Sequence, residues 1–228
     1  MKKIIFVAIS SLFMNGLYAQ DAETLVKQVR EKLEKINDYI ASGKMKTNVI
    51  FMKVPVASIK VYFKKPDKLR IKNESGISLI PKGSVSISLN NVLAAGGYTV
   101  IDAGSAKIGT VNAKVIRLLP NDDNGEVVLS TLYIDPENLL VLKSKTTTKE
   151  NGTYELDMSY GKYISYALPD KVVFSFNTKD YKLPKGVTFD YDDGTEKKQP
   201  GNKVKTGKVE LTYTSYLINK GVDDAVFK

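Results

Sequence analysis

A single helix-period stretch gives way to a long succession of period-two segments, and this switch limits the folds open to the chain. Ala22, Leu25, Val26, Val29, Leu33, Ile36 and Ile40 recur every three or four residues. That spacing predicts one face of an amphipathic helix over 21–41, with Asp21 as N-cap and Gly43 closing it. From Lys44 the alternation becomes strict. Met45, Thr47, Val49 and Phe51 fall on one side, followed by Ile59, Val61 and Phe63. Past a Pro66-Asp67 turn, Leu69 and Ile71 oppose Lys68, Arg70 and Lys72. Strands with one dry and one wet face are the pattern of antiparallel sheet. One helix cannot bury its apolar stripe alone, so it must lie on that sheet.

Further strands are predicted at 84–89, 98–102, 111–119, 126–134, 139–147, 153–166, 172–177 and 208–218. Turn residues separate most of them: Gly104, the polar stretch 121–125, the Asp-Pro-Glu-Asn of 135–138, and Asn151-Gly152. About ten strands joined by hairpin-length links describe a meander, and a sheet of that size curls into a barrel or part of one. Residues 90–97, NNVLAAGG, read either as a short lid helix across the mouth of the curved sheet or as a turn packed on the core. The polar run 192–206 reads as a mobile loop. It is not an EF-hand, because Thr195 stands where that loop needs glycine and no distal Glu follows at the right spacing.

Residues 1–19 carry two lysines, a short apolar run and a small residue at Ala19. The run is shorter than the roughly 20 residues a membrane span requires and reads as an export signal cut after Ala19. No cysteine follows, so lipid attachment at a new N-terminal cysteine is excluded. The expected mature chain, 20–228, is a single soluble domain in a disulfide-permissive compartment, held together by its core alone. The formal net charge is +9, with Lys2 and Lys3 supplying two of those charges. Nucleic acid is not an expected partner outside the cytoplasm, and the lysines are spread as on a solvated surface.

The 228 residues include no His and no Cys. That removes Ser-His-Asp and Cys-His triads, thiolate nucleophiles and conventional zinc sites. Carboxylate-pair and Ser-Lys chemistry stay open in principle, without a recognisable motif. No catalytic residue, cofactor or metal is assigned.

A curved sheet beneath a helix encloses an apolar space. The strand residues placed to line it are Phe63, Leu69, Ile71, Leu132, Ile134, Tyr154, Leu156, Met158, Phe174, Phe176, Leu211 and Tyr213. Ordinary core packing is the competing role for each of them. Segments apolar on both faces, such as 139–142, 127–129 and 172–174, call for a cover or a ligand. Of the thirteen tyrosines, Tyr163 and Tyr216 are expected on exposed strands.

The order of these segments resembles the LolA-type lipoprotein carriers. The opening helix is similar to theirs, and YFKKPDKLRI at 62–71 resembles their strand-turn-strand signature. IDPENLLVLKSKT at 134–146 resembles the central hairpin, and SYLINKGVDDAVFK at 215–228 the closing strand and tail. The resemblance implies an α+β fold, an unclosed antiparallel half-barrel with helices over a cavity for acyl chains. It implies a periplasmic monomer that carries lipoprotein or lipid from an inner-membrane release complex to an outer-membrane acceptor. Lys65 stands where the family's lid-holding arginine does, without arginine's planar fork. Leu69 matches the apolar position after the Pro that faces the partner or the cavity mouth, and Leu93 belongs to the lid segment. The expected function is carriage without chemistry. A sensor module of the same fold that binds a lipoprotein or protein partner is an alternative, as is a carboxylate-based hydrolase.

Overall fold

The computed structural model describes residues 21–49, 52–53, 56–75, 93, 97–122, 125–150, 152–177 and 206–227. The export segment 1–19, the strand expected at 84–89, most of the lid segment 90–97 and nearly all of the loop 192–206 lie outside the described residues.

Helix α1 (Ala22–Leu33) precedes an eleven-stranded antiparallel sheet. In chain order the strands are β1 (Asp38–Val49), β2 (Met52–Lys53), β3 (Ala57–Lys64), β4 (Lys68–Ser75), β5 (Tyr98–Ile108), β6 (Val111–Pro120), β7 (Val127–Asp135), β8 (Leu140–Thr148), β9 (Gly152–Ser159), β10 (Lys171–Asn177) and β11 (Thr206–Ile218). From β5 to β11 the sheet is the expected meander. Beyond it, β1 joins β11, so the spatial order is β4-β3-β1-β11-β10-β9-β8-β7-β6-β5, with β2 paired to β1. The sheet has two ends, β4 and β5, and is an open half-barrel.

Register aligns the dry face into belts that run around the concavity. Thr47, Val209, Phe174, Leu156, Ser144, Leu132 and Ile116 are opposed in succession from β1 to β6. All seven are buried. A second belt runs Gly207, Phe176, Tyr154, Thr146, Ser130 and Leu118. A third runs Ala57, Met45, Leu211, Val172 and Met158. The wet face carries cross-strand ion pairs such as Lys143–Glu155 at 2.6 Å and Lys171–Glu210 at 2.8 Å. Strict alternation therefore puts one apolar set against α1 and the charged set in water.

The helix is shorter than its period implies. It ends at Leu33, and Tyr39 and Ile40 belong to β1, where Tyr39 pairs with Phe63 on one side and Ile218 on the other. Two ladders of backbone bonds outweigh the single helical bond that each residue would gain by extending α1. Asn219 stabilises the break. Its side-chain oxygen accepts from the Asn37 amide at 2.7 Å and its amide donates to the Lys35 carbonyl at 2.9 Å. Gly43 is a strand residue beside a bulge at Ser42/Gly43, where an added Cβ would sit 2.4 Å from the Thr212 carbonyl oxygen. The expected strand 153–166 is also cut short. After Ser159 the chain turns through a 3-10 segment (Ile164–Tyr166), and Asp170 donates its amide to the Ser159 carbonyl at 2.9 Å.

Candidate functional site

The concavity of the half-barrel is the candidate site, and α1 occupies it. Ala22, Leu25, Val26 and Val29 are buried in the same core as Leu132, Leu156, Phe174 and Leu211. The last turn of the helix is fastened by polar contacts to both flanks. Near β5 the Arg30 guanidinium donates to the Tyr98 hydroxyl and stands 5.3 Å from the centre of its ring. That hydroxyl in turn donates to the Leu93 carbonyl at 3.4 Å. Near the β7–β8 turn the Lys32 ammonium donates to the Asn138 carbonyl at 2.7 Å. At the C-terminal end of α1 the Lys65 ammonium donates to the Glu34 carbonyl. A cation there satisfies a carbonyl that the helix leaves unpaired and opposes the negative end of its dipole.

Between the end of α1, β4 and the turn after β9 lies a cavity of about 80 Å³. Its walls include Leu33 and Ile36 from the helix end, Tyr39, Val61, Leu69 and Ile71, and Met158, Leu168, Leu211, Tyr213 and Tyr216. Sites for small molecules span roughly 300–1,000 Å³, and an engineered cavity of about 150 Å³ is enough for benzene. This conformation is closed. A more open groove of about 470 Å³ follows the outer seam between Gln28, Lys32 and Lys35 of the helix region and the turn at Glu137–Asn138.

The twelve strand residues singled out as lining candidates are not all in one place. Leu69, Ile71, Met158, Leu211 and Tyr213 border the cavity. Phe63 stacks on Tyr39 with ring centres 5.2 Å apart. Leu132, Ile134, Tyr154, Leu156, Phe174 and Phe176 are buried further round the belts, outside the cavity wall. Leu93 is buried in the core and Lys65 lies at the helix end.

Tyrosines cluster at the cavity wall and beside it. Tyr39, Tyr163, Tyr213 and Tyr216 form a chain of ring contacts, with Tyr216 at 5.5 Å from Tyr39, 4.9 Å from Tyr163 and 5.2 Å from Tyr213. Tyr216 is buried, not exposed, because the bulge in β1–β11 pairing turns it inward; its hydroxyl donates to the Pro169 carbonyl at 2.7 Å. Desolvation raises the phenol pKa of Tyr39, Tyr213 and Tyr216 above the ordinary value, so all three remain neutral hydroxyls at physiological pH. Sequence periodicity missed Tyr39, assigned to the helix, and Tyr216, assigned to the surface. Neither bulge nor helix end is encoded in a two-residue period.

The second feature beyond sequence reach is a row of buried hydroxyls. Ser130, Ser144, Thr146 and Thr148 lie on the dry face of β7 and β8, and Ser130 and Thr146 bond each other at 3.1 Å. Among the described residues Asp135 is the one buried carboxylate. Its oxygens accept from the amides of Glu137 and Asn138 at 3.0 and 3.2 Å and from the Asn138 side chain at 2.8 Å, so it caps the β7–β8 turn. No group of three or more metal-ligating side chains occurs among the described residues, and no helix there is long and apolar enough to cross a membrane.

No family model and no curated protein matches the chain. Solved structures do. A domain assigned to outer membrane lipoprotein sorting from Vibrio parahaemolyticus superposes with TM-score 0.58 at 11% identity, over 91% of this chain and 97% of that one. A DUF1329 family protein from Desulfovibrio piger gives 0.54 at 11% identity, over 91% and 97%. A LolA superfamily protein from Nitrosomonas europaea gives 0.52 at 10% identity, over 89% and 97%. At these identities the likeness is one of fold: the chain shares the open half-barrel of these structures over 89–91% of its length.

Proposed function

We propose that this LolA-like half-barrel is a periplasmic carrier that holds the acyl chains of a lipoprotein or another lipid in its concavity and delivers them toward the outer membrane. The observation that carries the reading is an apolar belt system shared by seven strands, with one amphipathic helix packed into the same core. Residues 1–19 serve as the cleaved export signal, and the cargo replaces α1 on the belts. Leu25, Val26 and Val29 are the large buried side chains that leave the core when it does. At about 1.5–3 kcal/mol each, their exposure costs roughly 4.5–9 kcal/mol. An acyl chain with roughly 14 methylenes gains on the order of 11 kcal/mol at about 0.8 kcal/mol per CH₂. The exchange favours the cargo by a few kcal/mol, a margin that a release partner can overcome.

The role is binding without chemistry. The chain has no His or Cys, and the buried Asp135 is committed to a turn. The LolA superfamily fold and a structural neighbour assigned to lipoprotein sorting support the same reading. An inner-membrane release complex and an outer-membrane acceptor are the partners such a carrier needs.

The test is native mass spectrometry of the mature protein purified from the periplasm without detergent, followed by lipid extraction. An acylated species at near-equal stoichiometry is the expected result. A bare protein mass that persists after addition of lipids and lipopeptides overturns the carrier and favours a protein-binding module of the same fold.

A further inference from the structure

Ser144 is 0% exposed on the dry face of β8, and its Oγ has no hydrogen-bond partner among the described residues. It stands in register between Leu132 and Leu156. Two residues on, Thr146 shares a 3.1 Å bond with Ser130. An orphan hydroxyl in an apolar belt is destabilising, whereas alanine would fill the same place with nothing left unpaired. The face of α1 over this core supplies Leu25, Val26 and Val29, none of which has a side-chain acceptor. The closed form therefore leaves Ser144 unserved.

The Ser130–Thr146 bond uses one of its two hydroxyl protons and leaves the other. Same-face neighbours two apart on a strand are separated by roughly 6.6 Å. One acceptor oxygen with bonds of about 2.7–2.8 Å joins donors no more than about 5.6 Å apart, so Ser144 by itself is the donor at this point and the Thr146–Ser130 pair lies one step further along the strand. A carbonyl oxygen has the lone pair this requires. Thr47, the other orphan hydroxyl of the same belt, lies four strands away, about 19 Å along the sheet at the usual strand spacing, and cannot join it.

We propose that Ser144, with Thr146 and Ser130 beside it, is a polar subsite that donates to the carbonyl oxygen of the ester or amide joining an acyl chain to its headgroup. The proposal rests on the carrier reading and adds to it a depth at which the acyl linkage stops. It fixes the chain's position: methylenes lie along the belts and the linkage sits at β7–β8.

The experiment compares two phospholipid probes with chains of the same length, one diester and one dialkyl ether, by displacement of an environment-sensitive fatty-acid fluorophore from the mature protein. The expected result is a three- to tenfold preference for the ester, the range set by a net hydrogen bond. Ser144→Ala should remove that preference by weakening the ester alone, with ether affinity unchanged and the urea midpoint equal or higher. Binding of both probes with no ester preference, or a preference that survives Ser144→Ala, overturns the subsite while the carrier reading stands. Failure of both probes and of the fluorophore to bind overturns the carrier reading and the subsite with it.

Discussion

Leu25→Ala separates a displaceable helix from a fixed one. Leu25 is fully buried on the inward face of α1, and its truncation removes three heavy atoms' contacts from the shared core to leave a residual void. Buried Leu→Ala changes cost about 2–5 kcal/mol. If α1 leaves the belts when cargo binds, that loss falls on the closed form and spares the loaded one. The closed-to-open equilibrium then shifts by the same energy, and 2 kcal/mol corresponds to roughly a 30-fold gain in apparent affinity. Two assays are needed: urea unfolding of the free protein and titration with a fluorescent long-chain fatty acid. The expected outcome is a lower unfolding midpoint together with tighter binding. Weaker or unchanged binding at the same loss of stability would refute the exchange, since it would mean that Leu25 stays in place or itself holds the ligand.

Leu69→Glu places a charge on the cavity wall at a half-buried position; binding of the fatty acid should fall at least tenfold with the circular dichroism spectrum retained, and loss of that spectrum would mark Leu69 as indispensable core. Gly43→Ala drives a Cβ to within 2.4 Å of the Thr212 carbonyl oxygen, a backbone atom that cannot step aside. A loss of about 1–3 kcal/mol in urea unfolding is expected, and a neutral result would show that the bulge relaxes. Asp224 accepts from Lys68 at 2.8 Å and Lys64 at 2.9 Å, and these hydrogen bonds lower its carboxyl pKa to about 2 from 3.8. A depressed carboxylate stabilises docking of the C-terminal turn (Asp224–Phe227) above pH 3.8, and that contribution is lost as pH falls from 3.8 through about 2. Amide protection at 224–227, taken relative to the intrinsic exchange rate at each pH, should be present at pH 5 and fall below pH 3 ahead of global unfolding; uniform loss across the chain would contradict the local origin.

Much of the half-barrel was legible in residue order. The strict alternation through Ile59, Val61 and Phe63 predicted their common dry face, and the turn chemistry around Asn151-Gly152 separated β8 from β9. These signals are local: a period of two and the backbone freedom of a turn residue operate within a few positions, whatever the rest of the chain does. The apolar stripe of α1 likewise announced a helix that must lie on a sheet.

Where that stripe ends was decided elsewhere. Tyr39 and Ile40 match a helical period, yet β3 and β11 claim them, and β11 lies some 170 residues on in the chain, at the register Tyr39↔Ile218. The pairing of the first long strand with the last is a long-range event that no window of sequence contains. The same event turns Gly43 from a helix stop into a bulge and Tyr216 from a surface residue into part of the cavity wall. Ser144 and Thr146 alternate with Lys143 and Lys145, so in sequence that stretch of β8 is polar on both faces. Burial of those hydroxyls was decided by tertiary packing, because burial depends on what the opposite wall brings, and alternation specifies faces without saying which face will be covered.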